Sequence, residues 1–204
     1  MPSSDNIIDF SGKPSASPGS RPLQDLEDDE LMLMTRGGVE AAFDIIARRY
    51  QQVLFRVASR VLGQTILAED AIQNTFLALY NAVGSYEPRG RFKQFLFQIL
   101  INECRIIMRS AGRFKKLREE LAAVVQIKPG MPDEDILERE KNKEVNRALS
   151  RLGFKLRIVV VLRFAGGLSY SEIGQALKIP VGTVKSRLNT GIVKMRKIVK
   201  GKSP

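Results

Sequence analysis

The chain has 204 residues, 44% of them apolar and 27% charged, with a formal net charge of +11 at pH 7. That length fits one large or two small domains with a packed core. There is no histidine and a single cysteine, Cys104, which excludes an internal disulfide and a Cys/His metal centre and removes the commonest general base.

No apolar run approaches the ~18 residues that a membrane span needs. The polar, Pro/Ser-rich start does not read as a signal peptide, and a reducing cytoplasm is the expected location. Walker-type loops, GxGxxG, GxSxG and HExxH do not occur in the sequence. No catalytic residue, metal or cofactor is therefore assigned, and the reading is not that of an enzyme.

Residues 1–26 are rich in Ser, Pro, Gly and Asp without periodicity, which predicts a disordered acidic tail. The acids Asp25, Glu27, Asp28, Asp29 and Glu30 suit the positive end of a first helix, which Gly37-Gly38 should end. Ala41 to Leu62 is amphipathic, with Phe43, Ile46, Tyr50, Val53, Leu54, Val57 and Val61 as its stripe. Leu67 to Val83 is a third helix with Ile72, Phe76, Leu79 and Val83 turned inward. Asp70, Gln73, Asn74 and Leu77 share another face, which suits either a partner surface or plain solvation.

Residues 84–91 read as a loop from their Gly, Pro and Ser content. Phe92 to Arg109 then repeats Phe92, Phe95, Leu96, Ile99, Leu100, Ile106 and Ile107 at helical spacing, and Ala111-Gly112 marks its predicted end. Core packing accounts for most of these aromatics. Yet Tyr86, Phe92 and Phe95 lie among Arg89, Arg91, Lys93 and Arg105, and rings interleaved with cations also suit unpaired bases and their backbone.

Residues 113–138 form the predicted linker, with Pro129, Gly130 and Pro132 at its centre. A helix resumes at Glu138 and runs to Leu152. Leu156 to Phe164 is β-branched enough for a strand, but helical patterns flank it on both sides, so a buried helix is expected.

From Gly167 to Leu188 the pattern is two short helices with a tight turn. Ser169 and Glu172 have capping-box spacing, and Pro180 and Gly182 should stop the first helix and turn the chain. A second helix is predicted from about Thr183, burying Val184, Leu188, Ile192 and Met195. Its other face carries Thr183, Lys185, Ser186, Arg187, Asn189 and Lys194, side chains that can hold phosphates and read base edges. By spacing alone, an ordinary αα-hairpin with a solvated basic face fits as well.

Charge distribution favours nucleic acid. From Lys143 onward there are 14 Lys/Arg and two acids, a net of +12; Arg89 to Arg118 holds nine Lys/Arg against Glu103, a net of +8. Residues 1–30 hold seven acids against Lys13 and Arg21, a net of −5. Two separate basic segments imply two contacts with a polyanion.

Two motif sets in order carry a family resemblance. The first comprises Ala42-Phe43, Arg49-Tyr50, Ala68-Glu69-Asp70-Ala71-Ile72-Gln73-Asn74-Thr75-Phe76 and Arg91-Phe92-Lys93-Gln94-Phe95-Leu96-Phe97-Gln98-Ile99. The second comprises Arg157 to Phe164, Gly167 to Gly174 and Ile179 to Leu188. The chain resembles the bacterial extracytoplasmic-function (ECF), sigma-E-like RNA polymerase sigma factors of the sigma-70 family, regions 2 and 4, over about 27–200.

The resemblance implies an all-α protein of two small helical domains joined by a flexible linker. Region 2 would be a helical bundle over 27–112, and region 4 a helix-turn-helix over 139–200. It implies binding to core RNA polymerase, at the clamp helices of β′ and the flap of β, and to promoter DNA without membrane insertion. Many relatives are held by an anti-sigma factor, so that partner is implied as well.

Asp70, Gln73, Asn74 and Leu77 would meet the polymerase. Tyr86, Arg89, Arg91, Phe92, Asn102, Arg105 and Arg109 would meet the minus-10 element. Tyr170, Thr183, Lys185, Ser186, Arg187, Asn189 and Lys194 would meet the minus-35 element. The chain departs from the family at Asn74, where an acid is usual, at Phe95, where Trp is common, and at Gly166 and Leu149-Ser150.

The alternatives are a stand-alone helix-turn-helix regulator of duplex DNA, an RNA-binding protein using the same aromatics, and, least supported, a nucleic-acid enzyme.

Overall fold

The computed structural model describes the backbone of residues 21–121 and 144–201, and the side chains of 21–110 and 144–201. Most of the predicted tail and linker lies outside the described residues. Helices make up the fold, and no strand occurs among the described residues.

In the N-terminal unit, α1 (Asp28–Arg36), α2 (Glu40–Leu62), α3 (Thr65–Ala82) and α4 (Phe92–Leu121) follow in order. In the C-terminal unit, α5 is helical over 144–150. It is followed by α6 (Phe154–Phe164), α7 (Tyr170–Leu177) and α8 (Val181–Val199).

Acids occupy the first turn of α1, and the Glu30 carboxylate accepts the Glu27 N–H at 2.8 Å. That contact satisfies a donor that the helix itself leaves unpaired. Gly63 ends α2 with φ 74°, a left-handed conformation glycine adopts without steric cost.

The inward face of α3 is partly of small residues: Ala68, Ala71 and Thr75 are fully buried beside Ile72 and Leu79. They let α3 pack closely on α2 and α4. The Thr75 hydroxyl is satisfied by donating to the Ala71 carbonyl at 2.6 Å.

Two expectations about α4 are corrected. The helix runs through Ala111-Gly112 to Leu121 instead of stopping there; a single interior glycine costs a helix only about 1 kcal/mol. Ile106, expected in the apolar stripe, is 54% exposed. The stripe that does bury is Leu96, Phe97, Leu100, Ile101 and Cys104, each wholly inaccessible. Burial pushes the Cys104 thiol up to about 12.

The β-branched run of α6 is a buried helix, with Ile158 to Leu162 all in the core. Burial on every side outweighs the modest helix penalty of valine. The Ser169–Glu172 capping box is present: the Glu172 N–H donates to Ser169 Oγ at 3.2 Å and the Ser169 N–H to the Glu172 carboxylate at 2.6 Å.

The turn itself differs from expectation. Lys178, at φ 54°, ends α7, and α8 begins at Val181, so Gly182 lies inside its first turn. Proline at the N-cap starts the helix here, because its fixed φ suits a helix entry and no N–H is lost. Gly174 is required by close approach: a Cβ there would sit 3.0 Å from the Ile179 carbonyl oxygen.

The two units rest on each other. Arg157 of α6 donates to the Val61 carbonyl at the end of α2 (2.9 Å), and also to the Ser150 and Leu152 carbonyls. Lys93 of α4 lies 3.8 Å from Glu172 of α7. Phe97 packs beside Gly166, where a Cβ would come within 3.3 Å of the ring.

Gly191 lets α8 close on α6, since a Cβ there would stand 2.7 Å from Val160 Cγ2. Val160 is buried and stiff at χ1, so it yields poorly. Gly191→Ala is expected to destabilise the protein by roughly 1–2 kcal/mol, the overpacking cost less the gain in helix propensity. Urea denaturation followed by circular dichroism measures this; an unchanged midpoint would show that the α6–α8 contact is loose.

Candidate polymerase and nucleic-acid interfaces

Three surfaces carry the predicted site residues. On α3, Asp70, Gln73, Asn74 and Leu77 are all exposed along one face. Leu77 is 60% exposed. Ile66 and Tyr80, which the sequence reading did not single out, extend the same face at helical spacing and are 59% and 51% exposed. A ridge of exposed apolar side chains flanking an acid and two amides suits protein contact better than solvation. Ile66 was legible in principle, since it falls one turn before Asp70 on the helix.

The second surface joins the loop Tyr86 to Arg91 with the outer face of α4. Arg89 and Arg91 are exposed, Arg89 paired with Glu87. Asn102, Arg105 and Arg109 align at i, i+3 and i+7, and Arg105 donates to Asn102 Oδ1 at 2.9 Å. Exposed Ile106 sits between them, an apolar spot among cations.

Two predicted residues of this surface are corrected. Tyr86 and Phe92 are core, at 8% and 3% exposure. The Tyr86 ring packs 6.0 Å from Phe92 and 5.5 Å from Phe95, and Phe92 stands 5.5 Å from Tyr50. Their rings support the loop from below and are not open to bases. Such aromatic contacts add about 0.5–1.5 kcal/mol beyond burial.

The loop is tied to α1. The Tyr86 hydroxyl donates to Asp29 Oδ1 at 2.5 Å, and the Gly90 N–H donates to Asp29 Oδ2 at 2.7 Å. Next to it, Asp28 accepts from Arg49 and from the Tyr50 hydroxyl, each at 2.5 Å. Burial first, then these carboxylates, push both phenols above the ordinary tyrosine range.

The third surface is α8. Lys185, Ser186, Asn189 and Lys194 are exposed, and Thr183 and Arg187 half-buried. Exposed Thr190, Arg196 and Lys197 enlarge the set. The Ser186 hydroxyl donates to the Thr183 carbonyl and the Thr190 hydroxyl to the Ser186 carbonyl. Both oxygens keep lone pairs free, so they remain acceptors for a base amino group. Tyr170 opens α7 beneath the Arg163 guanidinium, 5.3 Å from ring centre to Cζ.

The second and third surfaces meet at a cleft of about 520 Å³, where Arg105, Arg109, Lys155 and Arg187 face in among Met108, Phe154, Ile158, Leu177 and Ile179. Among the described residues its charged lining is four cations and no acid, which concentrates positive potential. Among the described residues no group of histidine, cysteine and carboxylate side chains could hold a metal, and no described helix is long and apolar enough to cross a membrane.

The chain thus combines a helical bundle, a helix-turn-helix and two basic faces on separate units. Two family models match these units in this order: Sigma-70 region 2 over residues 46–114 and Sigma-70, region 4 over residues 148–197. The chain belongs to the sigma-70 family, among its ECF sigma factors, and directs promoter-specific transcription initiation.

It is 27% identical over 170 residues to the RNA polymerase sigma-H factor of Pseudomonas aeruginosa, spanning 79% of this chain and 88% of that one. It is 29% identical over 168 residues to the ECF sigma factor SigW of Bacillus subtilis, spanning 78% and 90%. Among solved structures it matches the sigma factor RpoE of Bartonella quintana, determined in complex with the anti-sigma factor NepR. That match has 25% identity, a TM-score of 0.60, and coverage of 78% of this chain and 98% of that one.

The carboxylate of the capping box makes region 4 sensitive to acid. Burial raises the Glu172 pKa, but the hydrogen bonds from Ser169 and the charge of Lys93 outweigh it, so the net shift is downward. A lowered folded-state pKa contributes stability above the unfolded carboxylate value of about 4.3, and that part is lost as pH falls through the folded value. Glu172→Gln keeps an acceptor for the Ser169 N–H but loses the charge, and should lower stability at pH 7 by about 0.3–1 kcal/mol. Its deficit against wild type should shrink as pH drops below about 4. Thermal unfolding of both proteins across pH 3–7 (about the range of carboxylate titration) checks this; a deficit independent of pH would remove the charge from the argument.

Proposed function

We propose a division of labour among the three surfaces. The α3 face of Ile66, Asp70, Gln73, Asn74, Leu77 and Tyr80 docks on the clamp helices of the polymerase β′ subunit. The loop carrying Arg89 and Arg91, with Asn102, Arg105 and Arg109 on α4, engages the minus-10 element as it opens. Tyr170 and the outer face of α8, centred on Lys185, Ser186, Arg187 and Asn189, engage the minus-35 duplex, while the C-terminal unit also contacts the flap of β.

The observation that carries this reading is the placing of an apolar-polar ridge and two cationic faces on different helices of a two-unit chain. One cationic face is a helix-turn-helix, whose second helix fits a major groove. The other is a helix beside a strapped loop. Tyr86 and Phe92 act as the loop's support; the contacts to DNA come from the exposed cations and Asn102.

The chain supplies no bond-making chemistry; the polymerase does that, in the bacterial cytoplasm. Engaging two elements on one duplex requires the cleft lined by Arg105, Arg109 and Arg187 to open. An anti-sigma factor, as in the complex of the Bartonella quintana relative, would act by covering these surfaces.

The deciding experiment is transcription in vitro with purified core polymerase on a pool of promoter fragments. Specific transcripts that depend on this protein are expected. Duplex binding without polymerase and no transcripts would point instead to a stand-alone regulator.

Within that assay, Asp70→Ala with Gln73→Ala should weaken core binding while leaving polymerase-independent duplex binding intact. Equal loss of both would show damage to the fold. Arg187→Ala should reduce minus-35 duplex affinity. If Arg187 contacts one phosphate, the slope of log affinity against log salt should fall by about 0.9; if it contacts a base, discrimination should relax at one position. Fluorescence anisotropy at several salt concentrations separates the two, and affinity equal to wild type would exclude Arg187 from the interface.

A further inference from the structure

Asp29 lies far from the cations in sequence, at the second position of α1, and an acid there needs no explanation beyond the helix dipole. Its bonds go further than that. One carboxylate oxygen takes the Tyr86 hydroxyl at 2.5 Å and the other takes the Gly90 N–H at 2.7 Å. The two donors stand at opposite ends of the loop, with exposed Glu87, Pro88 and Arg89 between them.

Gly90 is left-handed at φ 64°, so the bond also pins a backbone form that the chain would otherwise sample among several. Arg36, from the last turn of α1, adds a bond to the Tyr86 carbonyl at 3.4 Å. Tyr86 is itself seated on Phe92 and Phe95 at the start of α4. Both ends of the loop are thus fixed to rigid elements, and Arg89 and Arg91 leave it in set directions.

We propose that Asp29 is a positioning residue for promoter opening: it clamps the loop 86–90 in the form that receives the separated strand. This rests on the reading of that loop as the minus-10 contact. Unpairing and unstacking a base costs a few kcal/mol that the receiving surface must return. A loop already ordered returns more of it, because the ordering entropy is not lost at the moment of capture. Asp28, its neighbour, bonds Arg49 and Tyr50 and has no hydrogen bond to the loop; the two acids have separate tasks.

The test uses the full chain with core polymerase on a promoter recovered from the transcription assay. Strand opening is followed by a fluorescent base in the minus-10 element, on intact duplex and on the same promoter pre-melted by mismatches. Asp29→Ala removes both bonds and should slow opening of the duplex roughly tenfold. Tyr86→Phe removes one, and Asp29→Asn keeps an acceptor for the Gly90 N–H and a donor for the Tyr86 oxygen while losing the charge; both should fall between.

On the pre-melted template all three should still bind more weakly than wild type, in the same order and with an unchanged melting temperature, because the cost of ordering the loop falls at capture even when the strand is already separated. Tyr86→Phe keeps the ring and the α1 charge, so its defect separates the clamp from helix stability and from the dipole. Wild-type opening rates in Asp29→Ala would overturn the proposal. So would an equal loss on both templates with a lowered melting temperature, the sign of a merely structural role. A wild-type holoenzyme that opens no promoter overturns the functional reading and this inference with it.

Discussion

The burial of one helix by two units underlies the rest of the molecule. Leu96, Phe97, Leu100, Ile101 and Cys104 of α4 have no accessible surface. α4 packs on α2 and α3 on one side and receives α7 on the other. Because the helix is common to both, its unburied face is the line along which cations of the two units come together. Asn102, Arg105 and Arg109 are placed by the same spacing that places the core residues, half a turn away. Removing apolar bulk from this stripe would therefore move both the core and the basic face.

Electrostatics and packing work against each other in this arrangement. Arg105, Arg109, Lys155 and Arg187 share a cleft, and like charges at that range repel in proportion to how little water screens them. Holding the units together are the Arg157 bond to the Val61 carbonyl, the Lys93–Glu172 pair and the seat of Phe97 beside Gly166. Salt weakens the repulsion and leaves the apolar seat nearly unchanged.

Much of this was legible in the chain. The Ser169–Glu172 spacing predicted the start of α7 because a capping box is a local device whose two bonds need only a turn of helix. The stripe of α2 and the burial of α6 followed from periodicity and flanking pattern. What failed depended on distant partners. Tyr86 and Phe92 sit among arginines in sequence, which is equally the signature of a base-stacking surface and of rings under a basic loop. Only the approach of α1, some sixty residues earlier, decides between them.

Gly112 and Gly182 were read as breakers, yet each lies within a helix. Glycine permits a turn without compelling one. Ile66 escaped because the helix was read as starting at Leu67, two residues late, and Tyr80 because an exposed apolar residue on an amphipathic helix looks like a continuation of the core. The roles of individual side chains toward polymerase and DNA rest on the family pattern and on exposure.

Cys104 has a consequence for how the protein is controlled. Its sulfur is sealed within the α4 stripe, and its thiol titrates at about 12, so almost none of it is thiolate at neutral pH. The thiolate is the form that attacks peroxide and disulfide reagents, and this sulfur stays a thiol, unreachable while the fold is intact. With no other thiol in the sequence, the folded chain offers oxidants no reactive thiol. A thiol-based oxidative signal that altered its output would have to be received by another molecule and handed on through binding.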